Sequence, residues 1–121
     1  MSLELTVLME LTIAGSNQPA IHAMLPSVIH KVKHEGNGIL NYQWYINEEE
    51  GKCYILEEFK NAAAWLEHHK NSEELLHPLF SIAPRTRWEV FGHVPQNVLD
   101  VMEPQGVVIN HPLAGFRKEI R

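Results

Sequence analysis

Residues 3–13 alternate with a period of two. Leu3, Leu5, Val7, Met9, Leu11 and Ile13 share one side, and Glu4, Thr6, Leu8, Glu10 and Thr12 share the other. Only an extended chain sorts side chains this way, so the segment reads as a strand with one fully buried face. A sheet must therefore lie at the centre of the fold, and something must cover it. The next candidate element supplies a cover. Ile21, Met24, Leu25, Val28, Ile29 and Val32 recur at helical spacing and form one apolar stripe. Ser16 or Asn17 is placed to cap this helix, Pro26 sits inside it, and Gly36-Asn37-Gly38 ends it. Because the stripe keeps its phase across Pro26, one kinked helix is expected rather than two elements.

Residues 39–47 and 52–59 are rich in β-branched and aromatic side chains and flank a turn at Glu48–Gly51, which reads as a hairpin. Leu40, Tyr42, Trp44 and Ile46 are expected on one face of its first strand. Cys53, Ile55, Glu57 and Phe59 are expected on one face of the second, opposite Tyr54, Leu56 and Glu58. Asn61 is placed to cap a helix over 62–70, and a separate helical piece is expected from Ser72. A fourth strand is expected over 85–94, followed by a helical turn near 96–102 and a short strand over 107–110.

The order β-α-β-β-α-β is the split βαβ arrangement. It implies one α+β domain over residues 1–121, ferredoxin-like, with an antiparallel sheet and both helices on one face. The uncovered face still carries Leu8, Tyr45 and Phe91, too apolar to stay wet, so a second copy of the chain is expected to cover it.

Composition narrows the partners. A formal net charge of −5 disfavours nucleic acid and anionic membrane, both of which require a cationic surface. Cys53 is the single cysteine, so no disulfide can form within the chain. With no secretory leader or apolar span in view, a cytoplasmic location is the expectation.

The run Tyr54-Ile55-Leu56-Glu57-Glu58-Phe59-Lys60-Asn61-Ala62-Ala63-Ala64-Trp65-Leu66-Glu67-His68 resembles the antibiotic biosynthesis monooxygenase family of dimeric α/β barrels. The matching positions are Glu57, Phe59, Ala64 and His68. Glu35-Gly36-Asn37-Gly38-Ile39-Leu40-Asn41-Tyr42 resembles the family's approach to the hairpin, with Asn and Gly in place of its usual Pro-Gly. The ending Leu113-Ala114-Gly115-Phe116-Arg117 is similar to a Gly-Phe tail in part of the family. The resemblance implies a homodimer and, as one of several family activities, oxidation of aromatics or quinols without metal or flavin. No cofactor is then expected. Family members that break haem carry an asparagine on the first strand. This chain has none there, which argues against haem breakdown.

Within that frame His68, four residues after Ala64, is expected to point at the sheet. It reads as a neutral imidazole able to take a proton from a phenol or hydroquinone, or as a buried histidine tying helix to sheet. Glu57 reads as the group orienting His68 or as a structural ion pair. Trp44, Tyr42, Trp65, Tyr54 and Phe59 are candidates to line a pocket for a flat apolar molecule, with Asn41 as a polar contact. Core packing is the alternative for each aromatic. His30 and His34 have chelating spacing but no third ligand, so no metal site is expected.

Overall fold

The computed structural model describes residues 3–118. Strand β1 is Leu5–Thr12, and a 3-10 turn at Gly15–Asn17 leads into helix α1, Gln18–Lys33. Strands β2, Ile39–Asn47, and β3, Lys52–Phe59, form the hairpin. Helix α2 is Ala62–Ile82, β4 is Arg85–Phe91, α3 is Gln96–Met102 and β5 is Val108–Asn110. The strands form one sheet in the order β2-β3-β1-β4-β5. The most strictly alternating strand, β1, lies in the middle, paired antiparallel to β3 and β4. The α+β, ferredoxin-like expectation holds. The fifth strand runs parallel to β4, so the sheet is mixed rather than wholly antiparallel, and in the single chain it is open rather than closed into a barrel.

The inward face of β1 is buried throughout, against Cys53, Ile55, Glu57 and Phe59 of β3 and Trp88 and Val90 of β4. Helix α1 lays Ile21, Val28 and Val32 on this layer. Helix α2 adds Trp65, Leu76 and Leu79, and α3 adds Val98 and Met102. Each large apolar side chain fully buried in this way contributes about 1.5–3 kcal/mol.

Several local expectations are corrected. The two pieces read as separate helices are one, α2, because His68, Ser72, Leu76 and Leu79 continue a single buried face through the polar Asn71-Ser72 step. Both Pro26 and Pro78 lie inside helices on exposed positions. The carbonyls they leave unpaired belong to the exposed residues His22 and Glu74, where water can meet them. Asn17 does not cap α1 with its side chain; its amide donates instead to the Ile82 carbonyl at 3.2 Å, tying the start of α1 to the end of α2. Asn61 caps α2 as read, accepting from the Ala64 amide at 2.8 Å. A bulge between Ile39 and Asn41 leaves Leu40 as an extra residue, half exposed, so Ile39 takes the inward place opposite Phe59. Ile46, expected on the face of Tyr42 and Trp44, is exposed.

Gly38 is where the loop before β2 meets α2. A Cβ there would stand 2.7 Å from the Cβ of Ala64. Neither atom is the end of a flexible side chain, so Gly38→Ala must push the loop off the helix. A cost of about 1–3 kcal/mol is expected, read as a lower thermal midpoint.

Candidate active site

The period-2 pattern of β3 places Glu57 on the inward face between Ile55 and Phe59, and it is 1% exposed. A carboxylate so placed needs a partner. His68, one turn after Ala64 on α2, reaches down to it, with Nε2 2.8 Å from Glu57 Oε2. The other ring nitrogen is also taken: Nδ1 lies 2.7 Å from Glu35 Oε2. Glu35 stands just beyond α1, where its amide donates to the Val32 carbonyl at 3.2 Å and the chain then bends at Gly36 with φ +122°.

Two carboxylates on the two nitrogens of one imidazole require both nitrogens to donate, which is the imidazolium form. Burial opposes that charge. The hydrogen bonds and charges of Glu57, then Glu35, outweigh it and push the His68 pKa up to about 9. Near neutral pH the His68 ring is thus charged, held between Glu57 and Glu35.

Tyr42 lies opposite Glu57 in the β2–β3 register, and its ring stands edge-on to His68 at 5.9 Å. Phe59 packs on the same imidazole at 5.3 Å. Burial first, and the Glu57 charge second, raise the Tyr42 hydroxyl well above its ordinary pKa, so it is a donor throughout the physiological range. The Tyr42 hydroxyl, the Glu57 Oε1 and the Nε1 atoms of Trp44 and Trp88 are buried with no well-formed hydrogen bond among the described residues, although Trp44 Nε1 turns toward the Tyr42 hydroxyl. Such groups are costly unless something else meets them.

Several clefts adjoin this centre, and two of them share a wall. One, of about 310 Å³, is lined by Glu35, His68, Gly38, Lys60, Ala64 and Glu67 among others. The second, of about 280 Å³, is lined by Ile29, Val32, Ile39, Leu40, Asn41 and Tyr42 among others. Gly36 and Ile39 belong to both. The first reaches the His68 ring beside Glu35, and the second runs against the Tyr42 ring. Among the described residues no group of three His, Cys, Asp or Glu side chains is set to hold a metal.

The residues singled out from sequence thus separate. His68, Glu57, Tyr42 and Phe59 come together, and Asn41 lines the second cleft. Trp44 lies edge-on to Tyr42 at 6.4 Å. Tyr54 does not join them: the alternation that turns Glu57 inward turns Tyr54 to the outer face, opposite Glu10 of β1. Trp65 is buried in a different stack, parallel to His69 at 4.8 Å and facing Trp88 at 6.5 Å, with the Arg85 guanidinium 4.1 Å above Trp88. Glu35 is the residue missed. It was noted only as part of the approach to the hairpin, and nothing local joins it to a histidine 33 positions away.

Comparison with known proteins agrees with this fold. The chain matches MupZ from Pseudomonas fluorescens with a TM-score of 0.82 and 23% identity, over 98% of this chain and 91% of that one. It matches Rv0793 from Mycobacterium tuberculosis with a TM-score of 0.62 and 18% identity, over 77% and 97%. A crystal structure of an antibiotic biosynthesis monooxygenase gives 0.61 and 21%, over 75% and 99%. At these identities the likeness is one of fold. No curated protein matches. The family profile described as antibiotic biosynthesis monooxygenase matches residues 5–77, a stretch that runs from β1 through Glu35, Glu57 and His68. With more than half its length matched, and with the helices, hairpin and central strand in the order that family shares, the chain belongs to the antibiotic biosynthesis monooxygenase family.

Proposed function

We infer that this protein is a cofactor-independent oxygenase for a small, flat phenolic or quinol-type substrate, working as a homodimer. The observation that carries the reading is the His68 ring held between two carboxyl groups, one of them at the wall of a cleft. Sequence pointed to a neutral His68 as base. With both nitrogens engaged, the proton acceptor is instead the cluster as a whole. Glu35 is the member that meets both the first cleft and the ring, and Glu57 is sealed behind it. A proton leaving the substrate meets the cluster at the cleft wall, where Glu35 and His68 touch. The substrate's aromatic body fits the second cleft, against Ile39, Leu40 and the Tyr42 ring. Tyr42, at the wall of the second cleft, is suited to hold the oxygen on which negative charge develops.

For an aryl-flanked methylene, a proton passes to Glu35 and the electron-rich anion reacts with dioxygen. One C–O bond forms and the O–O bond breaks. One oxygen atom stays as the product carbonyl and the other leaves as water with the two methylene hydrogens. The substrate is the reductant and dioxygen the oxidant.

The dimer reading rests on the outer sheet face, where Leu8, Leu56, Tyr45, Tyr54, Phe91 and Val108 lie among paired charges. Two such faces packed together would enclose the apolar side chains that one chain leaves exposed.

A second reading draws on the ring being only 5% exposed: a protein that binds the same kind of molecule without turning it over. Oxygen consumption with a panel of hydroquinones and anthrones separates the two. Uptake by the wild type and a fall of about 100-fold or more in His68→Ala are expected. Equal uptake by both proteins removes the cluster from the reaction. Tight binding with no uptake by either favours the second reading.

A further inference from the structure

Beyond β5 the chain does not trail away. Residues 111–118 have no regular structure, yet Arg117 forms ion pairs with Glu4 and, at 4.0 Å, with Glu58. The register fixes what this means. Asn110 of β5 sits beside Phe91 of β4, Phe91 beside Thr6 of β1, and Thr6 beside Glu58 of β3. To bring Arg117 to Glu58, the segment has to turn back from the β5 edge across β4 and β1. It does so on the outer side, where Glu58 and Glu4 point. Along this arm Leu113 is 99% exposed and Phe116 is 87% exposed. Two large apolar side chains are thus held out by a segment that its own ion pairs pin down, on a chain whose outer sheet face already exposes Phe91 and Val108.

The charge pattern says what meets them. The outer side carries Glu4, Glu10, Glu58 and Glu89 against Lys52, Arg87 and Arg117. These are paired within the chain: Lys52 with Glu10, Arg87 with Glu89, and Arg117 with Glu4 and Glu58. A chain of net charge −5 therefore presents an almost neutral face here. Such a face repels a second copy little and offers little to a strongly charged partner. Two-fold pairing would also use every apolar contact twice.

We propose that residues 111–118 are a clasp for a second copy of this chain, with Leu113 and Phe116 seated on the partner's outer sheet face and Arg117 fixing the arm from which they project. The proposal rests on the dimer reading above and adds to it which residues hold the two copies together.

Sedimentation velocity of the wild type and of Leu113→Ser/Phe116→Ser tests it. Both side chains are free of their own domain, so the double variant keeps its far-ultraviolet circular dichroism. The expected result is a wild-type dimer at micromolar concentration and a dissociation constant raised at least 10-fold in the variant. Arg117→Ala is expected to weaken the dimer less. A wild-type dimer with an unchanged constant in the variant overturns the clasp and leaves the dimer standing. A wild type that stays monomeric at high concentration overturns both. As a second readout, the thiol of Phe116→Cys should be alkylated at least 10-fold more slowly at dimer-forming concentration than when diluted. Equal rates would place the arm outside the interface.

Discussion

Stability is expected to fall as the pH rises from about 6.5 through about 9, and the fall is expected to disappear in His68→Gln. The sign follows from linkage. His68 has its folded pKa raised to about 9 by Glu57 and Glu35 against the cost of burial. Its stabilising contribution is therefore complete below the unfolded value near 6.5 and is lost as pH climbs through the folded one. The size is on the order of 3 kcal/mol, or roughly 10 °C in the thermal midpoint of a chain this long. Other groups are separable. Burial raises the Cys53 thiol, and burial with the Glu57 charge raises Tyr42, so both pull the same way only from about pH 9 upward. They remain in His68→Gln and cancel in the difference. His69, pushed down mainly by burial, acts below about pH 6.5 and in the opposite sense. Thermal melts of both proteins from pH 6 to 10 check this. Parallel curves would mean that His68 does not carry the charge.

The second large effect separates the two carboxylates. Glu57→Ala leaves a buried imidazolium without its inner partner and is expected to destabilise the fold by about 3–5 kcal/mol. Glu35→Gln keeps the shape and still offers an oxygen to Nδ1, and it acts at the wall of a cleft rather than in the core. Its expected signature is kinetic: kcat down by about 100- to 10,000-fold with a much smaller change in melting temperature. If Glu35→Gln destabilises as much as Glu57→Ala and turns over substrate at the wild-type rate, the roles given to the two acids are wrong.

How much of this could be read beforehand depended on the range over which each signal acts. β1, the hairpin and α1 were legible because burial of one face imposes a period on neighbouring residues, and period is local. The inward turn of Glu57 and the approach of His68 followed from the same arithmetic, two residues per pleat and four per helical turn. The features that failed are those decided by a partner far along the chain. The unbroken α2 passes through Asn71-Ser72 because Ser72 is buried there, which no propensity at that step announces. Leu40 is displaced by a bulge that exists only against β3. β5 joins β4 in parallel after α3 has carried the chain across. Glu35 belongs to the site because Gly38 packs on Ala64 and draws the end of α1 over His68. The aromatic residues illustrate the same division. Tyr42 and Phe59 were placed correctly by strand parity, Tyr54 falls outward by that same parity, and Trp65 turns toward β4 because Trp88 and His69 offer it a stack.

The central claim is the protonation of one ring. Nuclear magnetic resonance of protein labelled with nitrogen-15 at histidine reports it directly, with His68→Gln identifying the signal. At pH 7 both His68 nitrogens should carry hydrogen, and the resonance should titrate with a midpoint near 9. A single neutral tautomer at pH 7, titrating at or below 6.5, would contradict the charged clamp and the chemistry built on it.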